Sequence, residues 1–176
     1  MKSIKRDKVL IIDSSAILSG KPLNLDDVKM CTTPGVSKEF QPGGRDYQNF
    51  QYLIEKGLTI NMPSKESLNK IDKKSIQTGD NGRLSEADKE ILALSLDLKH
   101  EYEVAIITDD YSIQNVANAL EIKFETINQK GIKKSFKWIC KCQGCGKKYK
   151  DNINICPICG STTKNIVTRK KPINNM

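Results

Sequence analysis

Four cysteines near the C-terminus form two like pairs, Cys142-x-x-Cys145 and Cys156-x-x-Cys159, ten residues apart. Thiolates at this spacing make two knuckles that can close a tetrahedron around Zn²⁺. Gly146 and Gly160 follow the pairs and let the backbone turn beneath the sulfurs. Four thiolates leave no open coordination position, so the expected cofactor here is one structural zinc. Cys140 stands two residues before Cys142 and is a rival first ligand. Cys142 is favoured because it makes the knuckles alike. Two redox dithiols would also explain the pairs, but redox chemistry needs no matched second knuckle. Cys31 lies in an apolar run and reads as a core residue.

A second set of residues offers different chemistry. Asp13 follows the apolar run Val9-Leu10-Ile11-Ile12, and Asp110 follows Val104-Ala105-Ile106-Ile107 by a few residues. If both runs are strands of one parallel sheet, both acids arrive at its carboxyl edge, where ligand sites form. Asp88, near the start of a strongly periodic helix, and Glu39, near the start of an earlier one, would face the same crevice if those helices begin at that edge. Crowded carboxylates repel unless a hard cation such as Mg²⁺ or Mn²⁺ lies between them. Such a site polarises a phosphoryl oxygen and generates hydroxide for in-line attack.

Each acid also has a local explanation. Ser85-Glu86-Ala87-Asp88 resembles a capping box. Asp109 or Asp110 can cap the helix that follows, as can Asp13 or Ser14, and Glu39 can be a solvated helix residue. Their joint placement favours the metal site. The sole histidine, His100, lies in the charged stretch Lys99-His100-Glu101 and suits a surface role. A Ser-His-Asp or Cys-His mechanism is therefore poorly supported, and no phosphate-binding G-x-x-x-x-G-K-[ST] loop is present.

The elements that must position these residues follow from the pattern. Continuous apolar runs ending in acid, at residues 8–12 and 104–108, read as strands buried on both faces. Residues 28–31, 58–60 and 123–127 supply further strands. Helices are expected through Ala16-Ile17-Leu18, from Pro34 onward, over 46–56, over 86–99 and over 112–120. Residues 63–83 are polar, and Thr78-Gly79-Asp80-Asn81-Gly82 marks a loop. Alternating strands and helices imply an α/β fold with a parallel sheet covered on both faces.

Charge divides the chain. Residues 129–176 carry twelve Lys or Arg against the single acid Asp151, whereas residues 1–128 carry seventeen against twenty, within a net +8. The basic end suits a phosphate backbone, and a lysine-rich solvated surface is the plainer alternative. No apolar run approaches the roughly 20 residues that span a bilayer, the N-terminus lacks a secretory pattern, and clustered unpaired cysteines fit a reducing compartment. A cytoplasmic location is expected.

Val9-Leu10-Ile11-Ile12-Asp13-Ser14-Ser15-Ala16, Leu84-Ser85-Glu86-Ala87-Asp88 with Ala93-Leu94, and Ile107 through Ala117 together resemble PIN-domain ribonucleases. With the ribbon behind them, the chain is similar to archaeal Nob-type endonucleases of small-subunit rRNA maturation. The resemblance implies a three-layer α/β/α domain over residues 1–128, a basic linker over 129–137, a zinc ribbon over 138–164 and a loose basic tail over 165–176. It implies Mg²⁺ or Mn²⁺ held by Asp13, Glu39, Asp88 and Asp110, Asp110 fitting the T-x-D pattern better than Asp109. The implied activity is cleavage of single-stranded precursor rRNA at the mature 16S 3′ end, leaving a 3′-hydroxyl and a 5′-phosphate, in a pre-40S/30S-like particle. Lys133, Lys134, Lys137, Lys141, Lys147, Lys148 and Lys150 are the expected RNA-binding residues. The competing expectation is a catalytically silent RNA or ribosome adaptor whose acids are only caps.

Overall fold

The run Lys8–Ile12 forms strand β1, and residues 9–12 are all buried although successive side chains point to opposite faces. Both faces of the sheet must therefore be covered, as in a parallel sheet flanked by helices. The computed structural model describes residues 6–21, 28–128 and 134–172, with side chains over 137–168 in the last span. Five parallel strands lie in the order β3-β2-β1-β4-β5, where β2 is Lys29–Thr32, β3 Thr59–Ile60, β4 Glu103–Ile107 and β5 Lys123–Glu125. The chain leaves β1 for β2 on one side and later brings β4 in on the other. The direction of winding thus reverses between β1 and β4, and the crevice at their carboxyl ends is the expected ligand site.

Among the described residues six helices flank this sheet: α1 Ser14–Leu18, α2 Pro34–Glu39, α3 Gly44–Glu55, α4 Lys65–Thr78, α5 Glu86–Leu98 and α6 Tyr111–Ala119. Pro34 sits at the first turn of α2, where its missing N–H costs nothing, behind the N-cap Thr33. The layered α/β/α expectation holds, with two differences of detail. Residues 63–83 gave no helical signal, yet most of them form α4. Its buried stripe is Ser67, Ile71 and Ser75, so serines occupy core-facing positions and hide the apolar period. Ser64 caps the helix through the Ser67 amide at 3.1 Å, and Asp97 of α5 holds both serines. Glu39, expected early in its helix, is instead the last residue of α2, because Phe40 turns to extended backbone.

The cysteine region builds a second, antiparallel sheet in the order β7-β6-β8, with β6 Lys134–Cys142, β7 Lys148–Tyr149 and β8 Thr163–Pro172. Residues 134–137 and 165–172, expected as linker and loose tail, are paired strands in this sheet. Lysine-rich, weakly apolar strands carry little periodic signal, so the pattern missed them. No helix among the described residues is long and apolar enough to cross a membrane.

Candidate active site and metal centres

Asp13 ends β1 as the N-cap residue of α1, but its side chain caps nothing. Its carboxylate is 3% exposed and its Oδ2 accepts hydrogen bonds from Ser15 Oγ at 2.6 Å and Thr108 Oγ1 at 2.8 Å. The same hydroxyls accept from the loop after β4: the Asp110 amide donates to Thr108 Oγ1 at 3.0 Å and the Asp109 amide to Ser15 Oγ at 3.0 Å. Two hydroxyls therefore stitch the β1 and β4 ends together and aim Asp13. Capping does not account for this acid.

Asp88 and Asp110 do cap their helices. Asp88 Oδ2 accepts from the Ser85 amide at 2.7 Å while the Asp88 amide donates to Ser85 Oγ at 3.1 Å, which is the expected capping box. Asp110 Oδ1 accepts from the amides of Ser112 and Ile113 at 2.6 and 3.1 Å. These bonds occupy one oxygen of each carboxylate and leave each a second. Helix capping therefore accounts for one oxygen of Asp88 and one of Asp110, and the caps fix how the two acids are oriented. Asp88 is pushed up to about 6, first by burial and further by the charges of Asp110 and Asp13. Carboxylate charge of this kind is what a divalent cation offsets, and oxygen donors are the type that suits a hard metal.

Asp109 serves elsewhere. Its carboxylate accepts from the amides of Ile127 and Asn128, at 2.9 Å for Ile127, and pins the chain after β5. Glu39 is exposed and lines a cavity of about 270 Å³ with Leu18, Phe40, Gln41, Asp46 and Tyr47. Among the described residues it makes no hydrogen bond to the three aspartates. Apolar pattern and acid placement do not single out Thr108 and Ser15, which hold Asp13; the threonine of T-x-D and the serines after Asp13 are the signals that point to them.

In the ribbon, the Sγ atoms of Cys142, Cys145, Cys156 and Cys159 all lie within 4.8 Å of one another, a group fit to hold one metal ion. Gly146 and Gly160 take φ of +75° and +71° behind the knuckles. The Gly144 and Cys145 amides point at Cys142 Sγ at 3.3 and 3.4 Å, and Tyr149 Oη lies 3.0 Å from Cys156 Sγ. Tyr149 donation holds the Cys156 thiol below its ordinary range and Ser161 donation brings Cys159 to about 5, whereas the crowding of the neighbouring sulfurs pushes Cys145 up to about 11, a proton that a bound cation would displace. Thiolates are the form that binds metal, so the pocket fits zinc. Cys140 lies outside this tetrad, its Sγ directed to the side-chain oxygens of Asn152 and Asn165 at 3.3 and 3.0 Å. Burial pushes the Cys31 thiol up to about 12, as suits an inert core position.

Of the expected RNA-binding lysines, Lys137, Lys147, Lys148 and Lys150 are exposed and Lys141 is half-buried. Lys133 lies outside the described residues, as does the side chain of Lys134.

Comparisons with known proteins agree with this arrangement. A family model described as the PIN domain of ribonuclease matches residues 10–98. Endoribonuclease Nob1 of Pyrococcus abyssi is 39% identical over 168 residues, covering 92% of this chain and 96% of that protein. Endoribonuclease Nob1 of Archaeoglobus fulgidus is 39% identical over 155 residues, 88% of each chain. Ribonuclease VapC1 of Thermoplasma acidophilum is 36% identical over 166 residues, 93% of this chain and 80% of that protein.

Proposed function

The chain belongs to the PIN-domain ribonuclease family and is an endoribonuclease; from that premise we propose that it matures the 3′ end of small-subunit (16S) rRNA in the cytoplasm, using Mg²⁺ or Mn²⁺ held by Asp13, Asp88, Asp110 and Glu39. The observation that supports this reading is that the paired strands β1 and β4 end at Asp13 and at the loop of Asp110, joined there through Ser15 and Thr108, with Asp88 near enough that both charges raise its pKa. The likeness to two proteins named Endoribonuclease Nob1 over most of the chain supports the choice of substrate.

The reaction is in-line hydrolysis of a phosphodiester. A water oxygen bonds to phosphorus, the bond from phosphorus to the 3′-oxygen breaks, and a proton from water ends on that 3′-oxygen. The products carry a 3′-hydroxyl and a 5′-phosphate. A bound divalent cation would offset charge on the phosphoryl oxygens and lower the pKa of an attacking water. The chain's own contribution is positional: Thr108 and Ser15 fix Asp13, Ser85 fixes Asp88, and the α6 amides fix Asp110. Glu39 completes the ligand set by family resemblance. The closed four-thiolate ribbon holds structural zinc, and its lysines grip the phosphates of precursor rRNA within a ribosomal particle.

Incubation with a short RNA spanning the 16S 3′ junction, with and without Mn²⁺, tests the reading. A single Mn²⁺-dependent cut at the junction is expected, whereas dispersed or metal-independent cutting contradicts it. The adaptor reading draws on the caps made by Asp88 and Asp110, and Asp110 separates the two. Asn caps a helix about as well as Asp. Asp110→Asn should therefore keep stability yet lose cleavage if the acid holds metal, and lose neither if it is only a cap.

A further inference from the structure

The turn over residues 79–83 lies between the two parts of the molecule, and the assigned chemistry does not use it. On one side it meets the ribbon. Gly79, at the C-cap of α4, packs so closely on the backbone of Trp138 in β6 that a Cβ there would lie 2.6 Å from the Trp138 carbonyl carbon. A side chain at Gly82 would collide with Asn152, which is itself held by Cys140 at 3.3 Å. The Arg83 guanidinium sits over the Trp138 ring, 3.9 Å from its centroid.

On the other side the turn meets the elements that carry the acids. Asp80, 1% exposed, accepts from Asn115 Nδ2 of α6 at 2.6 Å, and α6 begins at Asp110. The Asp80 carbonyl accepts from the amides of Arg83 and Leu84, and Ser85 then opens the capping box of Asp88. Buried polar bonds on one face and a backbone-to-backbone approach on the other make this a rigid joint, with no linker-like freedom at the contact.

We propose that the 79–83 turn is the seat on which ribbon strand β6 docks, and that Arg83 and Trp138 are positioning residues that fix the span between ribbon-bound RNA and the phosphodiester offered to Asp13, Asp88 and Asp110. This rests on the ribonuclease reading for its RNA consequence, though the dock can be observed without RNA. Selection of the cut site becomes a matter of distance: the ribbon holds one segment, and the joint sets how far along the strand cleavage falls.

Trp138 is the only tryptophan, so its fluorescence reports the dock directly. Arg83→Ala in the full zinc-bound chain removes the cation. Gly82→Val drives a wedge at a residue without positive φ. Both variants should keep one zinc per chain, shift Trp138 emission to the red and raise its acrylamide quenching. On a short RNA that reaches only the carboxylates they should cleave like the parent. On a long RNA that also reaches the ribbon, kcat/KM should fall about three- to thirtyfold, the range of one cation–π contact, and cuts should spread to neighbouring phosphodiesters. Unchanged emission and quenching would overturn the dock. Altered emission with an unchanged long-RNA cut, or equal losses on both RNAs, would overturn its role in site selection. Failure of the parent chain to cleave either RNA would instead count against the ribonuclease reading, leaving the fluorescence arm to judge the dock.

Discussion

Asp88 holds its proton more tightly than an ordinary carboxyl, at about 6, first because it is partly withdrawn from water and further because of the charges of Asp110 and Asp13. The sign of the consequence follows from linkage. An acid whose folded pKa lies above its unfolded value favours the folded state at low pH, and that contribution is lost as pH rises through the folded pKa. In buffer freed of divalent ions, thermal melts should show the parent chain losing stability relative to Asp88→Asn between about pH 4 and pH 7. Over the same window Mn²⁺ affinity should rise, because metal and proton compete for the carboxylate. Parallel pH curves for parent and variant would contradict this. At this scale the cysteine spacing is the most informative signal, since Cys142, Cys145, Cys156 and Cys159 form the tetrad and Cys140 lies outside it. What stayed hidden was the pair Thr108 and Ser15, since a hydroxyl joining two loops 93 residues apart leaves no periodic trace.

The helix α5 shows how one element serves both stability and site. Its capping box satisfies amides that a helix start leaves unpaired, and the same bond fixes the Asp88 carboxylate. Ser85→Ala should lower stability by about 1 kcal/mol, read as a Tm drop of about 2–4 °C. Cleavage should fall by no more than a few-fold, since the Ser85 backbone amide still donates to Asp88 Oδ2 and only the Asp88 amide loses its acceptor. A loss of activity far beyond the loss of Tm would show that the Ser85 hydroxyl itself positions the acid. Elements with an apolar stripe or a doubly buried run were legible, as α5, β1 and β4 show. Helix α4 was not, because Ser67 and Ser75 occupy its buried face, the first bonded across to Asp97 of α5 and the second to the Asp72 carbonyl of its own turn. Strands β6 and β8 were not legible over 134–137 and 165–172 either. Their pairing is set by the long β6 to β8 register, a non-local feature with no counterpart in hydrophobic pattern.

At the level of the whole molecule, the proposed function assigns the chemistry to the acids at the sheet edge and the substrate to the small basic sheet. The small sheet has little core of its own, so a metal held by its four thiolates would supply folding energy. Cys159→Ser should release zinc and unfold the ribbon while the parallel-sheet domain keeps its melting transition. Affinity for long RNA should then fall and lose much of its salt dependence, because the ribbon lysines no longer line a common surface. Retained affinity with an unchanged salt slope would move RNA binding to the larger domain. The most direct test of the central claim is Asp13→Asn assayed with Mn²⁺ on a short single-stranded RNA. Asn preserves the shape and one acceptor for Ser15 and Thr108, so fold, zinc content and RNA binding should match the parent. Cleavage should drop by more than about a hundredfold, the upper range for disturbing even an outer partner of a metal ligand. Cleavage within a few-fold of the parent would contradict the account.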